Sequence, residues 1–296
     1  MNKKLMLCCK AICLLIILAL IYMKVDISLM IKLLQQMQFI WIILAIIILF
    51  FSFVFSALRL GVYLSANQIF CAKYFNIALS FIGILYNNIL PGGIGGDAYK
   101  IYKISKLYQV SKLTLLRIML SDRANGLLAL VLMTMVLIFC NNYIKSFVYS
   151  YIFGILFIMV TIAVYILVEI KILKEKLITS LSAFKYSIIV QFLCLMTAVC
   201  ILKSFQFTHY NDLQMVNYLI IFMISSIVAV IPISLGGAGL RELTFVYGSQ
   251  YLGLEVDLGV IFAFMYFCIN LLLSTIGIIF MYNLGAINDE HVKETI

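Results

Sequence analysis

Eight apolar runs follow one another along the chain, at roughly 5–23, 39–58, 75–90, 118–139, 149–168, 187–202, 216–235 and 258–282. Most of them approach the ~20 residues that a helix needs to cross a bilayer. The stretches between them are only about twenty to thirty residues at their longest, too short for an attached catalytic domain. Composition agrees. With 65% hydrophobic and 11% charged residues and a mean hydropathy of +1.16, the chain falls far below the roughly 25% charge of globular proteins. Too little polar sequence exists to cover a water-facing surface, which excludes a soluble enzyme, a secreted disulfide scaffold and a disordered tail. The sequence predicts an all-α polytopic membrane protein, residues 1–296 forming a single integral membrane domain.

The formal charge of +9 comes from 21 basic residues spread over short loops. That distribution reads as topology signals and contacts to anionic lipid, and no nucleic-acid partner is expected. The eight cysteines show no metal-ligand spacing, and His209 and His291 lie in loops without a partner, so no metal and no cofactor are expected. Residues 11–23 follow Lys3, Lys4 and Lys10 as in a signal peptide, but the sequence after them has no small-residue cleavage site and is read as a retained first span.

Two of the eight runs differ from the rest. Pro91 and Pro232, the only two prolines, each end an apolar run and are followed by glycines: Gly92, Gly93, Gly95 and Gly96 in one case, Gly236, Gly237 and Gly239 in the other. Proline removes a backbone donor and glycine favours non-helical turns, so neither segment continues as a straight helix. Charge decides between crossing and turning back. If all eight segments cross, lysine and arginine divide 12 to 8 between the two sides at best, with Arg123 counted in the membrane, which is barely a bias. If 75–99 and 216–240 enter from opposite faces and return, fifteen basic residues share one side, including Lys3, Lys100, Arg59 and Lys171. Only Lys24, Lys32, Lys145, Lys203 and Arg241 remain on the other.

The expectation is therefore about six full spans plus two re-entrant hairpins. They form two inverted repeats, roughly 1–140 and 141–296, with both termini cytoplasmic. Paired proline/glycine-broken segments in inverted halves point to a transport site near the bilayer midplane.

The candidate residues lie at those breaks. Asn87, Asn88, the glycine turn, Asp97 and Lys100 form one constellation, expensive in a membrane unless they meet polar partners or water. Glycine-rich backbone presents N–H groups to a phosphate, with Lys100 adding charge; the alternative is a tight packing turn with Asp97 paired to a nearby base. Ser234, Arg241 and Glu242 form the second constellation. Here Arg241 either grips a phosphate, with Glu242 neutralising it in the empty site, or pairs structurally with Glu242. Asp122 and Arg123 form a third, in which Arg123 is a phosphate contact or a snorkelling end-of-helix cation. Arg59 reads as a flank anchor, and Asn270 with Ser274 as helix–helix hydrogen bonds. No catalytic constellation is present and no enzyme is expected.

Asn87-Asn88-x-Leu90-Pro91-Gly92-x-x-Gly95-Gly96-Asp97, then Asp122-Arg123 before an apolar span, then Ile231-Pro232-x-Ser234-x-Gly236-Gly237-x-Gly239-x-Arg241-Glu242 resemble the lysylphosphatidylglycerol synthase transmembrane-region family. Its members are also called flippase-like or UPF0104 membrane proteins. The resemblance spans nearly the whole chain, although the family often has Arg in place of Lys100 and Glu in place of Asp122. It implies the membrane part of a two-part synthase without its transferase domain, in the plasma (inner) membrane. The implied function is to move an anionic, aminoacylated or polyprenyl-phosphate-linked lipid between leaflets. The alternative is an accessory subunit that presents such a lipid to a separate glycosyl- or aminoacyl-transferase partner.

Overall fold

The computed structural model describes residues 34–90, 93–140, 148–205, 212–231 and 239–286, together with Lys32 and Gly237. All regular structure among them is helical: α1 Phe39–Ala66, α2 Lys73–Ile89, α3 Gly95–Tyr108, α4 Lys112–Cys140, α5 Val148–Leu167, α6 Leu177–Ser204, α7 Asp212–Val228, α8 Leu240–Leu252, α9 Val256–Ser274 and α10 Ile276–Ala286. A π-helical turn, Val168–Leu173, extends α5, and α10 continues α9 after an irregular step at Thr275. Five stretches are long and apolar enough to cross a membrane: Phe39–Ala66, Lys112–Phe139, Ile152–Leu173, Leu177–Ser204 and Val256–Tyr282. The chain is a multi-pass, all-helical membrane protein. The first apolar run, both termini and both histidines lie outside the described residues.

The remaining four helices form two hairpins. Leu90 takes an extended conformation (ψ 134°), as the residue before a proline must, and this stops α2. Gly93 then turns the chain with a φ of +59°. From there α3 runs back along α2: Tyr86 stacks near Tyr99 at 4.9 Å, and Phe75 near Tyr108 at 6.4 Å. The arms touch so closely that a Cβ at Gly96 would run into the Gly83 carbonyl. The second hairpin has the same form. Gly248 lies against Ile221 and Arg241 reaches Ser226, so α8 returns along α7. At about 1.5 Å per residue, arms of 13 to 17 residues fall short of a ~30 Å hydrocarbon core.

Both hairpins are longer than the sequence reading made them. The first reaches Tyr108, not residue 99, and the second spans 212–252, not 216–240. The returning arms α3 and α8 bury apolar side chains such as Ile104, Phe245 and Val246 but carry charged and polar residues between them, so hydropathy alone cuts them off near their first charges.

α1 and α6 pack antiparallel along their full lengths. Gln38 N donates to Ser204 O at 2.8 Å at one end, Ser52 meets Cys194 at 3.3 Å in the middle, and Arg59 donates to Ser187 beyond it. Around this pair, α2 contacts α9 while α4 contacts α7, so each hairpin leans on the last span of the other half. The first hairpin opens at the end of the bundle that carries Lys73, Lys106, Lys112, Lys171, Lys174 and Lys176. The second opens at the opposite end, where α8 passes to α9 through Gly253 in a left-handed conformation (φ +64°).

This arrangement predicts a labelling pattern. In a cysteine-free background, Lys73→Cys and Ser111→Cys, at the two ends of the first hairpin, react with an impermeant maleimide from the same side of sealed vesicles. Tyr251→Cys reacts only from the other side. A straight crossing of 73–111 would place the first two on opposite sides.

Candidate functional site

The hairpin tips meet around a cavity of about 400 Å³. Ser52, Leu127, Gln191 and Asn270 line it, and each stands near the middle of its own long helix. The cavity therefore lies at mid-depth in the bundle. Asn87, Asn88 and Gly93 come from the first tip; Ala229, Ile231, Gly237 and Arg241 come from the second.

The first tip is held by side chains that replace the interrupted helical bonds. Asn87 Oδ1 accepts from Gly96 N at 2.8 Å, capping the start of α3. Asn88 Nδ2 donates to Asn270 Oδ1 on α9 at 2.8 Å, fastening the tip to the other half. Arg123, on α4, donates to Gly93 O at 2.7 Å and forms an ion pair with Asp97, which sits in the first turn of α3. That turn also favours a negative charge through the helix dipole. Arg123 is thus a tie between α4 and the tip, not a snorkelling cation, and Asp97 has the basic partner that the packing-turn reading required.

The second tip departs from the expected Arg241–Glu242 pair. Glu242 Oε2 accepts from Gly239 N at 2.6 Å, so its carboxylate caps α8. Successive helical residues point to different faces. Arg241 accordingly turns away, donates to Ser226 Oγ at 3.0 Å and lies over the rings of Tyr266 at 4.8 Å and Phe222 at 5.8 Å. Among the described residues no carboxylate lies within ion-pair distance of Arg241.

A third arginine lines the cavity where a flank anchor was expected. Arg59 is only 6% exposed. Its guanidinium grips Asp122 bidentately, Nε to Oδ1 at 2.7 Å and Nη2 to Oδ2 at 3.0 Å, and Nη1 donates to Ser187 Oγ at 3.1 Å. The bonds continue inward. Ser187 Oγ donates to Asn125 Oδ1 at 2.6 Å, and Asn125 Nδ2 donates to the hydroxyls of Tyr63 and Tyr165 and to Ser180 O. Ser180 Oγ then donates to Glu169 Oε2 at 3.2 Å, in the π-helical turn. This buried chain joins α1, α4, α5 and α6.

Of the residues singled out in the sequence, Asn87, Asn88, Gly93, Arg123, Gly237 and Arg241 line the cavity. Gly95, Gly96, Asp97, Asp122, Gly239 and Glu242 do not line it; Asp97 and Asp122 hold Arg123 and Arg59 at its wall, and Gly96 N and Gly239 N donate to Asn87 and Glu242. Lys100 does not line it; its side chain runs over Gly83 between the hairpin arms. Pro91, Gly92, Pro232, Ser234 and Gly236 lie outside the described residues. Asn270 makes the expected interhelical bond, whereas Ser274 donates to Leu271 O in its own helix. Sequence reasoning missed Arg59, Ser52, Gln191 and Tyr266 as cavity residues. For Arg59 a signal existed: Leu60, Val62, Tyr63 and Leu64 continue the apolar run past it.

No curated protein and no solved structure matches the chain. A family described as the lysylphosphatidylglycerol synthase TM region matches residues 9–277. The chain belongs to that family, which ties it to membrane lipids.

The Arg59–Asp122 pair yields a stability prediction. Removing one partner leaves a buried charge without compensation, so Asp122→Ala or Arg59→Ala costs about 3–5 kcal/mol. The double variant Arg59→Met/Asp122→Leu costs less than either single change. Thermal unfolding in detergent checks the order; equal or additive losses would contradict it.

Proposed function

We propose that the protein moves a lipid with a phosphate-bearing head group between leaflets, the head group passing through the cavity between the hairpin tips while its tails stay in the bilayer. The observation that carries this reading is Arg241. It is a guanidinium at mid-depth, facing a cavity of mixed polar and apolar lining and held by Ser226 and two aromatic faces, with no carboxylate within ion-pair distance among the described residues. Such a group is costly in a membrane and marks a substrate path. Asn88, Gln191 and Ser52 add neutral hydrogen-bonding groups to the lining.

The hairpins open toward opposite ends and meet in the middle, which suits alternating exposure of one site to the two faces. In this reading the two halves are inverted repeats that rock about the α1–α6 pair. The end carrying Lys73, Lys112 and Lys174 is cytoplasmic by the positive-inside rule, and the membrane is the plasma membrane. The protein relocates its lipid without altering it.

The same basic end favours a second reading, in which the protein holds lipid for a separate transferase docked there and transports nothing.

Reconstitution separates the two. Purified protein in liposomes containing head-group-labelled phosphatidylglycerol, phosphatidylethanolamine or a polyprenyl phosphate is expected to expose inner-leaflet label to an external quencher. Arg241→Ala slows that exchange by at least about tenfold, equivalent to one lost charge-assisted contact. Exchange no faster than in empty liposomes for all three lipids, with lipid still bound, would overturn transport in favour of the docking reading.

A further inference from the structure

Glu169, in the π-helical turn that ends α5, is the most occluded acid among the described residues, at 0% exposed. Its carboxyl has one hydrogen-bond partner: Ser180 Oγ donates to Oε2 at 3.2 Å. Oε1 has none, and neither has the buried Ser121 Oγ that faces the carboxyl from α4. The titratable groups around it are Tyr63 on α1, Tyr165 on its own helix and Glu175 in the link to α6, and none of them is a cation. Lys171, Lys174 and Lys176 beside the turn are exposed. Among the described residues no cation lies within ion-pair distance of the carboxyl, and Arg59 gives its charge to Asp122.

A carboxylate with one donor and no counter-charge is far costlier inside a membrane protein than a neutral acid. A proton on Oε1 removes the charge and gives Ser121 Oγ a donor. A divalent cation would need further acidic ligands, and the described residues bring none together. We infer that Glu169 is a proton-binding site, and that the proton it holds is the coupling ion of the proposed transport. The second half rests on the reading of the cavity as a lipid path; the first does not.

Bonds within the bundle join this site to the cavity. Ser180 donates to Glu169 through Oγ and accepts from Asn125 through its carbonyl; Asn125 and Ser187 then lead to Arg59 on the cavity wall. The π turn supplies the second conformation that coupling needs. Relaxing it to α geometry rotates one flank against the other by about 100°, which carries the carboxyl out of the interior toward the lysine-bearing end. An ionised Glu169 favours that rotation and a neutral one opposes it. On release the proton leaves Oε1 for the Glu175 carboxylate and then water. Glu175 N donates to Glu169 O at 3.0 Å, and its half-buried carboxyl is pushed up by burial, with the Asn67 amide at 3.0 Å opposing.

Infrared spectroscopy of the purified full-length protein in detergent tests the site without any transport step, because a protonated carboxyl gives a C=O stretching band that shifts in heavy water. The expected band is present at neutral pH, is removed by Glu169→Gln and is shifted but kept by Ser121→Ala. In the wild type it gives way to a carboxylate band on alkaline titration. In liposomes a proton gradient is expected to change the rate of lipid exchange, an effect lost on Glu169→Gln. A carboxyl band that Glu169→Gln leaves unchanged overturns the proton site. So does failure of Glu169→Gln to fold, because an amide replaces a neutral acid but not a carboxylate. With the band in place, exchange that ignores the gradient overturns the coupling. The band without any lipid exchange upholds the proton site while sinking transport.

Discussion

Backbone that leaves the helix inside a bilayer must find its lost hydrogen bonds in protein, because lipid offers none. Much of the polar structure around the two hairpin tips meets that requirement. Asn87 serves Gly96 N, Glu242 serves Gly239 N and Arg123 serves Gly93 O. These contacts hold the tips inside the bundle, where long helices surround them, and so bring polar groups to mid-depth. The cavity follows from the breaks: two turns that cannot pack as helices leave space between them, and the groups that satisfy their backbone give that space its character.

Electrostatics then divides the three arginines by role. Arg59 belongs to the scaffold, its charge matched by Asp122 and its hydrogen bonds continued through Ser187 and Asn125 to Ser180 and Glu169. Arg123 spends its charge on Asp97 to fasten the first hairpin to α4. Arg241 donates to Ser226 and lies over the rings of Tyr266 and Phe222, and in the proposed function it is the group that meets the head group. Several side chains do both: Arg59, Asn87, Asn88 and Arg123 line the pocket and also hold its walls, while Asp97, Asp122 and Glu242 act from behind.

The hairpins were legible because proline and glycine act locally: Pro91 dictates the extended Leu90 before it, and the glycines mark the turn wherever the rest of the chain goes. Long-range partners were not. Arg59 looked like the end of a span because a charge interrupts hydropathy, while its compensation by Asp122 lies 63 residues away. Arg241 and Glu242 looked like a pair because they adjoin in sequence, but adjacency on a helix sends side chains to different faces. The polar returning arms α3 and α8 were cut short for the same reason as α1: a one-dimensional hydropathy reading cannot see that a lysine or tyrosine on a helix faces other protein. Lys100 illustrates it, counted as a ligand by type and found against Gly83 by packing.

Transport as proposed requires a lipid head group to occupy the space between the two opposed hairpin tips at mid-depth. An electron cryomicroscopy structure in nanodiscs rich in phosphatidylglycerol tests it most directly. The expected result is head-group density between the tips, its phosphate within hydrogen-bonding distance of the Arg241 guanidinium, with Pro91 and Pro232 both at turns inside the membrane. Head groups seen only at the two membrane surfaces, or segments 73–108 and 212–252 running straight through the bilayer, would contradict it.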